Sequence, residues 1–310
     1  MSKQYNILIM VTAKDFERVK MHHRKLLEYL PVKKLIYVGS KEVGALLERE
    51  NWQQEVCFLD EESLIPFADV NAVMKKRLGV ADVPRGITGW YYQQFLKMKY
   101  ADVCEDPFYM TWDGDTVPCR PIVMEDEQNK PLLDCKREYH EEYFTTMSKL
   151  IPGLGKCMEY SFISEHMLFS RDIMKELMAE ILERAEDGSR SFYERILNVI
   201  PREKLTDNSF SEFETYGSFV AMRHPEVYKL RRWYSFRHCG DFFDPTQMSE
   251  EDFAWLGRDF HALSFEKGSY VREDNKEIFT KKEYREKLSA RQILEIVQEE
   301  YLDGYKESWD

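Results

Sequence analysis

The chain has 310 residues, of which 43% are hydrophobic and 14% aromatic, enough to build a sizeable core in one large α/β domain or two small ones. Its net charge of −12 argues against a nucleic-acid binder, which typically carries a basic footprint. The apolar run at residues 7–11 is too short for a signal-peptide core, and no stretch reaches transmembrane length. The six cysteines are scattered without a C-x-x-C pair, so we expect reduced thiols in a cytoplasmic protein.

The first half of the sequence alternates between strand-like and helix-like segments. The predicted strands are residues 7–11, 35–38, 56–59 and 108–112, and the predicted helices are residues 14–30, 41–49 and 89–103. This alternation predicts an α/β fold with a mostly parallel central sheet flanked by helices. Ligands of such sheets bind at the carboxyl ends of the strands, where Thr12, Asp60 and Asp113 stand.

The second half is less regular, and no Gly/Ser/Pro-rich linker separates it from the first. One strand is predicted at residues 132–135, and helices are predicted at residues 172–186, 191–199, 211–223 and 281–303. We therefore expect a single domain that ends in a helical tail.

An acidic motif follows the fourth predicted strand, where residues 108–120 read FYMTWDGDTVPCR. Asp113 and Asp115 are separated by one glycine, which lets the backbone bend sharply so that both carboxylates can face one point. Mg²⁺ and Mn²⁺ prefer oxygen ligands and often bridge carboxylates to substrate phosphates. The alternative is an Asp-Gly turn with both acids solvated, since a bare D-x-D occurs often by chance.

Four further segments accompany the D-x-D motif. They are Thr12 and the residues 89–97 (GWYYQQFLK), 164–167 (SEHM) and 211–217 (SEFETYG). As an ordered set with residues 112–118 (WDGDTVP), they resemble the GT-A glycosyltransferases, and more narrowly the bacterial glycosyltransferase-like family designated DUF6492. The resemblance implies a Rossmann-like GT-A fold, a UDP- or GDP-sugar donor, and a Mn²⁺ or Mg²⁺ cofactor.

One face of the helix predicted from Gly89 carries Trp90, Gln94 and Lys97, at positions i, i+4 and i+7. On the functional interpretation, Gln94 hydrogen-bonds the donor and Lys97 meets a phosphate or an acid of the D-x-D motif. On the structural interpretation, the three residues form a solvated polar stripe. Arg85, in the loop just before this helix, is a further candidate phosphate contact.

Residues 229–238 read KLRRWYSFRH and gather cations in an otherwise acidic protein. Arginine side chains suit pyrophosphate, and Arg237 is the candidate donor contact. In many GT-A enzymes a histidine late in the chain gives the metal a third protein ligand, and His238 is the candidate for that position. A lone histidine is more often an ordinary core or surface residue.

The acceptor side has three candidate catalytic residues. Ser211 and Glu214 form a capping-box pattern, which would make Glu214 structural and leave Glu212 as the freer carboxylate. An inverting transferase needs a carboxylate to deprotonate the acceptor hydroxyl, so Glu212 ranks ahead of Glu214. His166 is an alternative, unless it is a hydrogen-bonded histidine at a strand edge.

Together these features predict a metal-dependent glycosyltransferase in which Trp112 and Trp90 offer flat surfaces to a base or sugar ring. We expect one GT-A domain over residues 1–310, with a nucleotide-sugar half (1–120), an acceptor half (121–245) and a C-terminal helical extension (246–310). The expected acceptor is a glycan or lipid-linked hydroxyl, which leaves open peripheral association with the inner face of a membrane. The alternatives are a nucleotidyltransferase, although residues 11–16 lack a Gly-rich phosphate loop, and a non-catalytic nucleotide- or sugar-binding module.

Overall fold

The computed structural model describes residues 3–50, 52, 55–266, 271 and 273–298. Its strands are β1 (Tyr5–Met10), β2 (Val32–Gly39), β3 (Val56–Asp60), β4 (Phe108–Trp112), β5 (Thr116–Pro118), β6 (Leu132–Cys135), β7 (His166–Ser170), β8 (Lys229–Arg232), β9 (Ser235–Phe236) and β10 (Ala262–Ser264). The main sheet has the order β3-β2-β1-β4-β7, and every pairing in it is parallel except β4 with β7. The predicted α/β fold with a mostly parallel sheet is confirmed.

The helices up to residue 223 cover both faces of this sheet, whereas most of those from residue 250 onward pack in a separate core. The helices are α1 (Phe16–Met21), α2 (His23–Tyr29), α3 (Lys41–Glu48), α4 (Phe67–Leu78), α5 (Arg85–Lys99), α6 (Glu141–Leu150), α7 (Arg171–Glu183), α8 (Phe192–Val199), α9 (Glu212–Arg223), α10 (Glu250–Leu256), α11 (Glu273–Thr280), α12 (Lys282–Arg285) and α13 (Ala290–Gln298). Successive side chains of β1 pack into opposite layers, with Ile7 and Ile9 in one core and Leu8 in the other. A strand buried on both faces reads as a continuous apolar run, which is why its sequence was recognisable.

Two smaller sheets lie beyond the main one. β5, β10 and β9 form one of them, and β6 pairs with β8 in the other. Because β5 directly follows the D-x-D motif and pairs with β10, the segment after residue 246 packs against the end of the first half (residues 1–120). A third core, which includes Phe236, Trp255, Phe279 and Ile293, joins these strands to α10, α11 and α13.

Several predicted boundaries were wrong. The helix predicted at 14–30 is broken at His22, whose backbone leaves helical geometry and whose ring stacks on Phe265. The helix predicted from Gly89 begins at Arg85, because Pro84 marks its start and the glycines after it are helical. The helix predicted at 281–303 is divided, because Ser289 caps a new helix, and residues 299–303 lie outside the described part of the chain.

All six cysteines are free, as expected from their spacing. Among the described residues, no helix is both long and apolar enough to cross a lipid bilayer.

Gly217 in α9 provides a test of this packing. A Cβ at this position would overlap the buried ring of Phe162, whereas a Cβ at Gly155 would meet nothing within 4 Å. Gly217→Ala should therefore lower the free energy of unfolding by about 1–3 kcal/mol, the usual cost of overpacking. Gly155→Ala is the matched control, and denaturant unfolding that gave equal stabilities for the two variants would contradict this packing.

Candidate active site

A cleft of about 1180 Å³ opens at the carboxyl ends of β1 to β4. Its floor includes the residues that follow these strands, and α5, α9 and the segment after β9 contribute its walls. Gly39 lets the ends of β1 and β2 lie close together at this edge, because a Cβ on Gly39 would lie 2.5 Å from the carbonyl oxygen of Val11. The cleft thus occupies the edge at which a parallel sheet normally binds its ligands.

The turn Asp113-Gly114-Asp115 lines the cleft and is fixed by its backbone at three points. The amide of Asp113 donates to the carbonyl of Glu165 at 2.9 Å, and the carbonyl of Asp113 accepts from Thr116 at 3.0 Å. The carbonyl of Asp115 accepts from the amide of Phe265 at 2.8 Å. The two carboxylates therefore project from a turn whose path is set by β7 and by the residue after β10.

Lys97 connects this turn to α9. Its ammonium group lies 2.7 Å from Oδ1 of Asp113 and 2.7 Å from Oε1 of Glu212, above the ring of Phe213. Burial lowers the pKa of Lys97, but the two carboxylates more than reverse this effect and raise it above its ordinary value. Burial raises the pKa of Glu212, against the opposing charge of Lys97. Lys97 is therefore a permanent cation that holds both acids in place.

Asp115 differs from its neighbour because it makes no ion pair within the described residues. Burial and the charges of Asp113 and Glu266 raise its pKa to about 6, against the opposing effect of Arg18. Its carboxylate accepts one long hydrogen bond, 3.5 Å from the hydroxyl of Thr116. The cleft therefore contains an anionic group whose charge the neighbouring side chains do not balance.

A second charged cluster lines the same cleft and was not anticipated from the sequence. Arg237 bonds Glu138 and Glu266, each at 2.7 Å, and lies 3.6 Å from Glu165. These contacts raise the pKa of Arg237, although its burial alone would lower it. Glu165 belongs to the SEHM segment, which was a usable signal, whereas Glu138 and Glu266 lie in no recognisable pattern.

Most of the predicted binding residues line this one cleft. They are Thr12, Arg85, Trp90, Gln94, Lys97, Asp113, Asp115, Glu212 and Arg237. Arg85 pairs with Glu61 at 3.2 Å and lies over the ring of Phe67. Gln94 accepts a hydrogen bond from the amide of Glu212 at 3.0 Å, so it supports α9 as well as lining the cleft.

Five predicted residues do not line the cleft: Asp60, Trp112, His166, Glu214 and His238. Full burial makes the ligand contact predicted for Trp112 and the catalytic role predicted for His166 wrong. Trp112 is fully buried, and its indole donates to the carbonyl of Thr116 at 2.7 Å. His166 is also fully buried, with its ring nitrogens 2.7 Å from the carbonyl of Ser164 and 2.8 Å from Asp134. Asp60 uses its carboxylate to cap the short helix that follows β3.

Glu214 is structural, but not through the predicted capping box. The hydroxyl of Ser211 does accept from the amide of Glu214, at 3.2 Å. The Glu214 carboxylate instead accepts from the hydroxyl of Ser161 at 2.5 Å and from the amide of Phe162 at 2.9 Å. Because a neighbouring loop supplies better donors, the carboxylate is buried away from the cleft and is not a catalytic base.

His238 is the predicted third metal ligand, and the structure places it beside Glu266. It does not line the cleft, and its Nε2 lies 3.8 Å from Glu266. Within the described residues, no three His, Cys, Asp or Glu side chains are arranged to hold a metal ion by themselves. A left-handed backbone at His238, with φ of 54°, sets the direction of its side chain, which sequence spacing could not anticipate.

The buried position of Lys97 generates a stability prediction. Lys97→Met preserves the aliphatic stem but leaves Glu212 buried without its cation, which should cost about 3–5 kcal/mol. Lys99→Met is the matched control on the same helix, because Lys99 forms only a surface pair with Asp102 and should cost at most about 1 kcal/mol. Urea unfolding measures both, and equal losses would contradict the role given to Lys97.

The raised pKa of Asp115 predicts a pH-dependent gain in stability on its removal. The folded-state pKa of Asp115, about 6, exceeds the ordinary 3.8. The free energy of unfolding of the wild type therefore falls as pH rises between these two values, and it stays low at higher pH. Asp115→Asn should therefore be more stable than wild type at neutral pH, by on the order of 1 kcal/mol. The gain should shrink as pH falls toward 3.8, and a pH-independent gain in urea unfolding would contradict this origin.

Three solved structures with similar folds have low sequence identity to this chain. Mouse xyloside xylosyltransferase 1 in its apo form is 14% identical, with 86% of this chain and 95% of that chain covered and a TM-score of 0.39. Galactosyltransferase LgtC in complex with donor and acceptor sugar analogs is 12% identical, with 91% and 100% covered and a TM-score of 0.42. The bifunctional glycosyltransferase WbbM in its apo form is 11% identical, with 95% and 52% covered and a TM-score of 0.41.

No curated protein matches the sequence significantly. A family model described as a family of unknown function, DUF6492, matches residues 6–302. The family resemblance predicted from the motifs is confirmed, and the chain belongs to the DUF6492 family.

Proposed function

We propose that this chain is a divalent-cation-dependent glycosyltransferase that moves a sugar from a nucleoside diphosphate sugar to an acceptor hydroxyl. The observation that carries the proposal is the turn Asp113-Gly114-Asp115, which presents two carboxylates to a large cleft at the carboxyl ends of four strands. One carboxylate is held by a buried lysine, and the other lacks a counter-ion within the described residues. Perturbed acids in a cleft are typical of functional sites.

The residues of this turn fit Mg²⁺ or Mn²⁺. Both ions prefer carboxylate oxygens, and Mg²⁺ in particular is usually bound by one or two carboxylates together with substrate phosphates. Asp115 and Asp113 would supply those carboxylates, and the donor diphosphate would complete the ligand set that the described residues alone do not provide. When bound, the cation would neutralise the charge that develops on the leaving diphosphate.

The side chains around the turn orient the reactants. Lys97 fixes the carboxylate of Asp113 from behind, so that little rearrangement is needed when the donor binds. Thr12, Trp90 and Arg85 line the remaining cleft and would contact the donor. Arg237 is held by Glu138 and Glu266, so it would shape the cleft more than it binds phosphate.

Glu212 is the proposed acceptor-side carboxylate. It lines the cleft at the first residue of α9. Among the described side chains, Lys97 is the one that bonds its carboxylate, and it bonds Oε1. Burial raises its pKa, and a carboxylate with a raised pKa is a stronger proton acceptor. In an inverting reaction the Glu212 carboxylate would take the proton of the attacking hydroxyl at Oε2, the oxygen that Lys97 does not bond.

The test measures binding of UDP and GDP in the presence and absence of Mn²⁺. Asp115→Asn removes one negative charge from the proposed cation site, so it should lose most Mn²⁺-dependent nucleotide affinity while remaining folded. Asp102→Asn is the control, because Asp102 is an exposed acid that pairs with Lys99 and does not line the cleft. Isothermal titration measures these affinities. The proposal is contradicted if Asp115→Asn binds UDP and GDP like wild type, or if the wild-type affinity for them does not change with Mn²⁺ or Mg²⁺.

The same protein, incubated with a panel of UDP- and GDP-sugars and Mn²⁺, separates this proposal from its rivals. Slow release of the nucleoside diphosphate supports a glycosyltransferase. In a parallel incubation with a nucleoside triphosphate and a sugar phosphate, formation of pyrophosphate would indicate a nucleotidyltransferase instead. Binding without any turnover would indicate a non-catalytic module.

A further inference from the structure

Glu165 has an unusual backbone for its residue type. In the described part of the chain, the non-glycine residues with positive φ are Asn129, Glu165, Asn208 and His238. Asparagine tolerates the left-handed region, but a glutamate there, with φ of 59°, adopts a sparsely populated conformation. Such a conformation is unfavourable for a residue other than glycine and persists only when the surrounding structure holds it in place.

Contacts of the Glu165 side chain hold the backbone in this conformation. It is 6% exposed, and its Oε1 is paired with the ammonium group of Lys136, which is 3% exposed. Its Oε2 accepts hydrogen bonds from the hydroxyl of Ser235 at 3.0 Å and from the indole of Trp233 at 3.2 Å. Lys136 is itself anchored, because its backbone exchanges two hydrogen bonds with Ser161.

The consequence of this conformation lies at the proposed cation site. The β4–β7 ladder ends at the pair Trp112–His166, and the carbonyl of Glu165 extends it by accepting the amide of Asp113 at 2.9 Å. That hydrogen bond determines where β4 ends and the turn at Asp113 begins. A Glu165 that relaxed to ordinary extended backbone would direct its carbonyl elsewhere and release the start of the turn.

We infer that Glu165 is a positioning residue for the Asp113-Gly114-Asp115 turn, and that Lys136 anchors it. The inference rests on the proposed function, since it takes that turn to be the cation site. It adds that the cation affinity of the turn depends on a buried ion pair that contacts neither Asp113 nor Asp115 through its side chains. Outer partners of metal ligands commonly change metal affinity by about 10–100-fold when they are lost.

The test uses three variants of the full chain and the probe Mn²⁺ with inorganic pyrophosphate. Glu165→Gln and Lys136→Met each break the ion pair, and each should weaken Mn²⁺–pyrophosphate binding by about 10–100-fold in isothermal titration. The double variant Lys136→Met/Glu165→Gln leaves no unpaired buried charge, so it should recover much of the thermal stability that the single variants lose. Its affinity should stay low, because the anchor of the left-handed backbone is still missing.

Glu214→Gln is the matched control. Glu214 is equally buried and hydrogen-bonded, and neither of its partners, the hydroxyl of Ser161 and the amide of Phe162, bonds the turn. Lys136 is held by the backbone of Ser161 and not by the hydroxyl that Glu214 accepts from. It should lose stability while binding Mn²⁺–pyrophosphate like wild type. The inference is overturned if Glu165→Gln binds like wild type, if Glu214→Gln weakens binding equally, or if the double variant recovers affinity together with stability.

A failure of the proposed function would look different. In that case the wild-type protein would itself show no Mn²⁺-dependent binding of pyrophosphate or nucleotide. Wild-type binding that survives in Glu165→Gln but is lost in Asp115→Asn would leave the cation site standing and remove only the positioning role of Glu165.

Discussion

The buried ammonium group of Lys97 is the contact on which the candidate site depends. It joins α5, the end of β4 and the start of α9 through two bonds of 2.7 Å, to Asp113 and to Glu212. The carboxylate of Glu212 could not stay buried beside that of Asp113 without this cation, because an unbalanced charge in the interior would cost several kcal/mol, in order of magnitude. Lys97 therefore keeps the carboxylates of Asp113 and Glu212 together in this part of the cleft, where they would otherwise repel each other.

Asp115 differs from the neighbouring acids of the cleft in having no cationic partner among the described residues. Around Asp113 and Glu212 the protein supplies Lys97, and around Glu165 and Glu266 it supplies Lys136 and Arg237. Asp115 receives no cation from the described residues, and its raised pKa reflects that imbalance. Among the described residues the neighbouring acids are balanced and this carboxylate is not, which lowers stability at the place where a ligand can restore it. This uneven balance, more than the D-x-D spacing, favours a cation site over a solvated turn.

How much the sequence could predict varied with the physics of each feature. The apolar runs of β1 and β4 and the acids after β4 were recognisable, because a strand buried on both faces leaves a continuous signal. Lys97 was found through helical spacing, since positions i, i+4 and i+7 share a face regardless of tertiary context. Glu138 and Glu266 were missed because they approach Arg237 only through long-range folding. Trp112 and His166 were misassigned because spacing does not reveal whether a side chain faces the core or the cleft, whereas Glu214 was correctly interpreted as structural but with the wrong partner.

The central claim is that Asp113 and Asp115 hold a divalent cation together with a donor diphosphate. Anomalous diffraction from crystals grown with Mn²⁺ and a nucleoside diphosphate tests it most directly, because the signal locates the ion without reference to activity. The account predicts a manganese peak in contact with a carboxylate oxygen of Asp115 and with the diphosphate, at about 2.0–2.2 Å from each, the distances typical of small hard divalent ions. A bound nucleotide with no manganese peak beside this turn, or a peak at another group of residues, would contradict it.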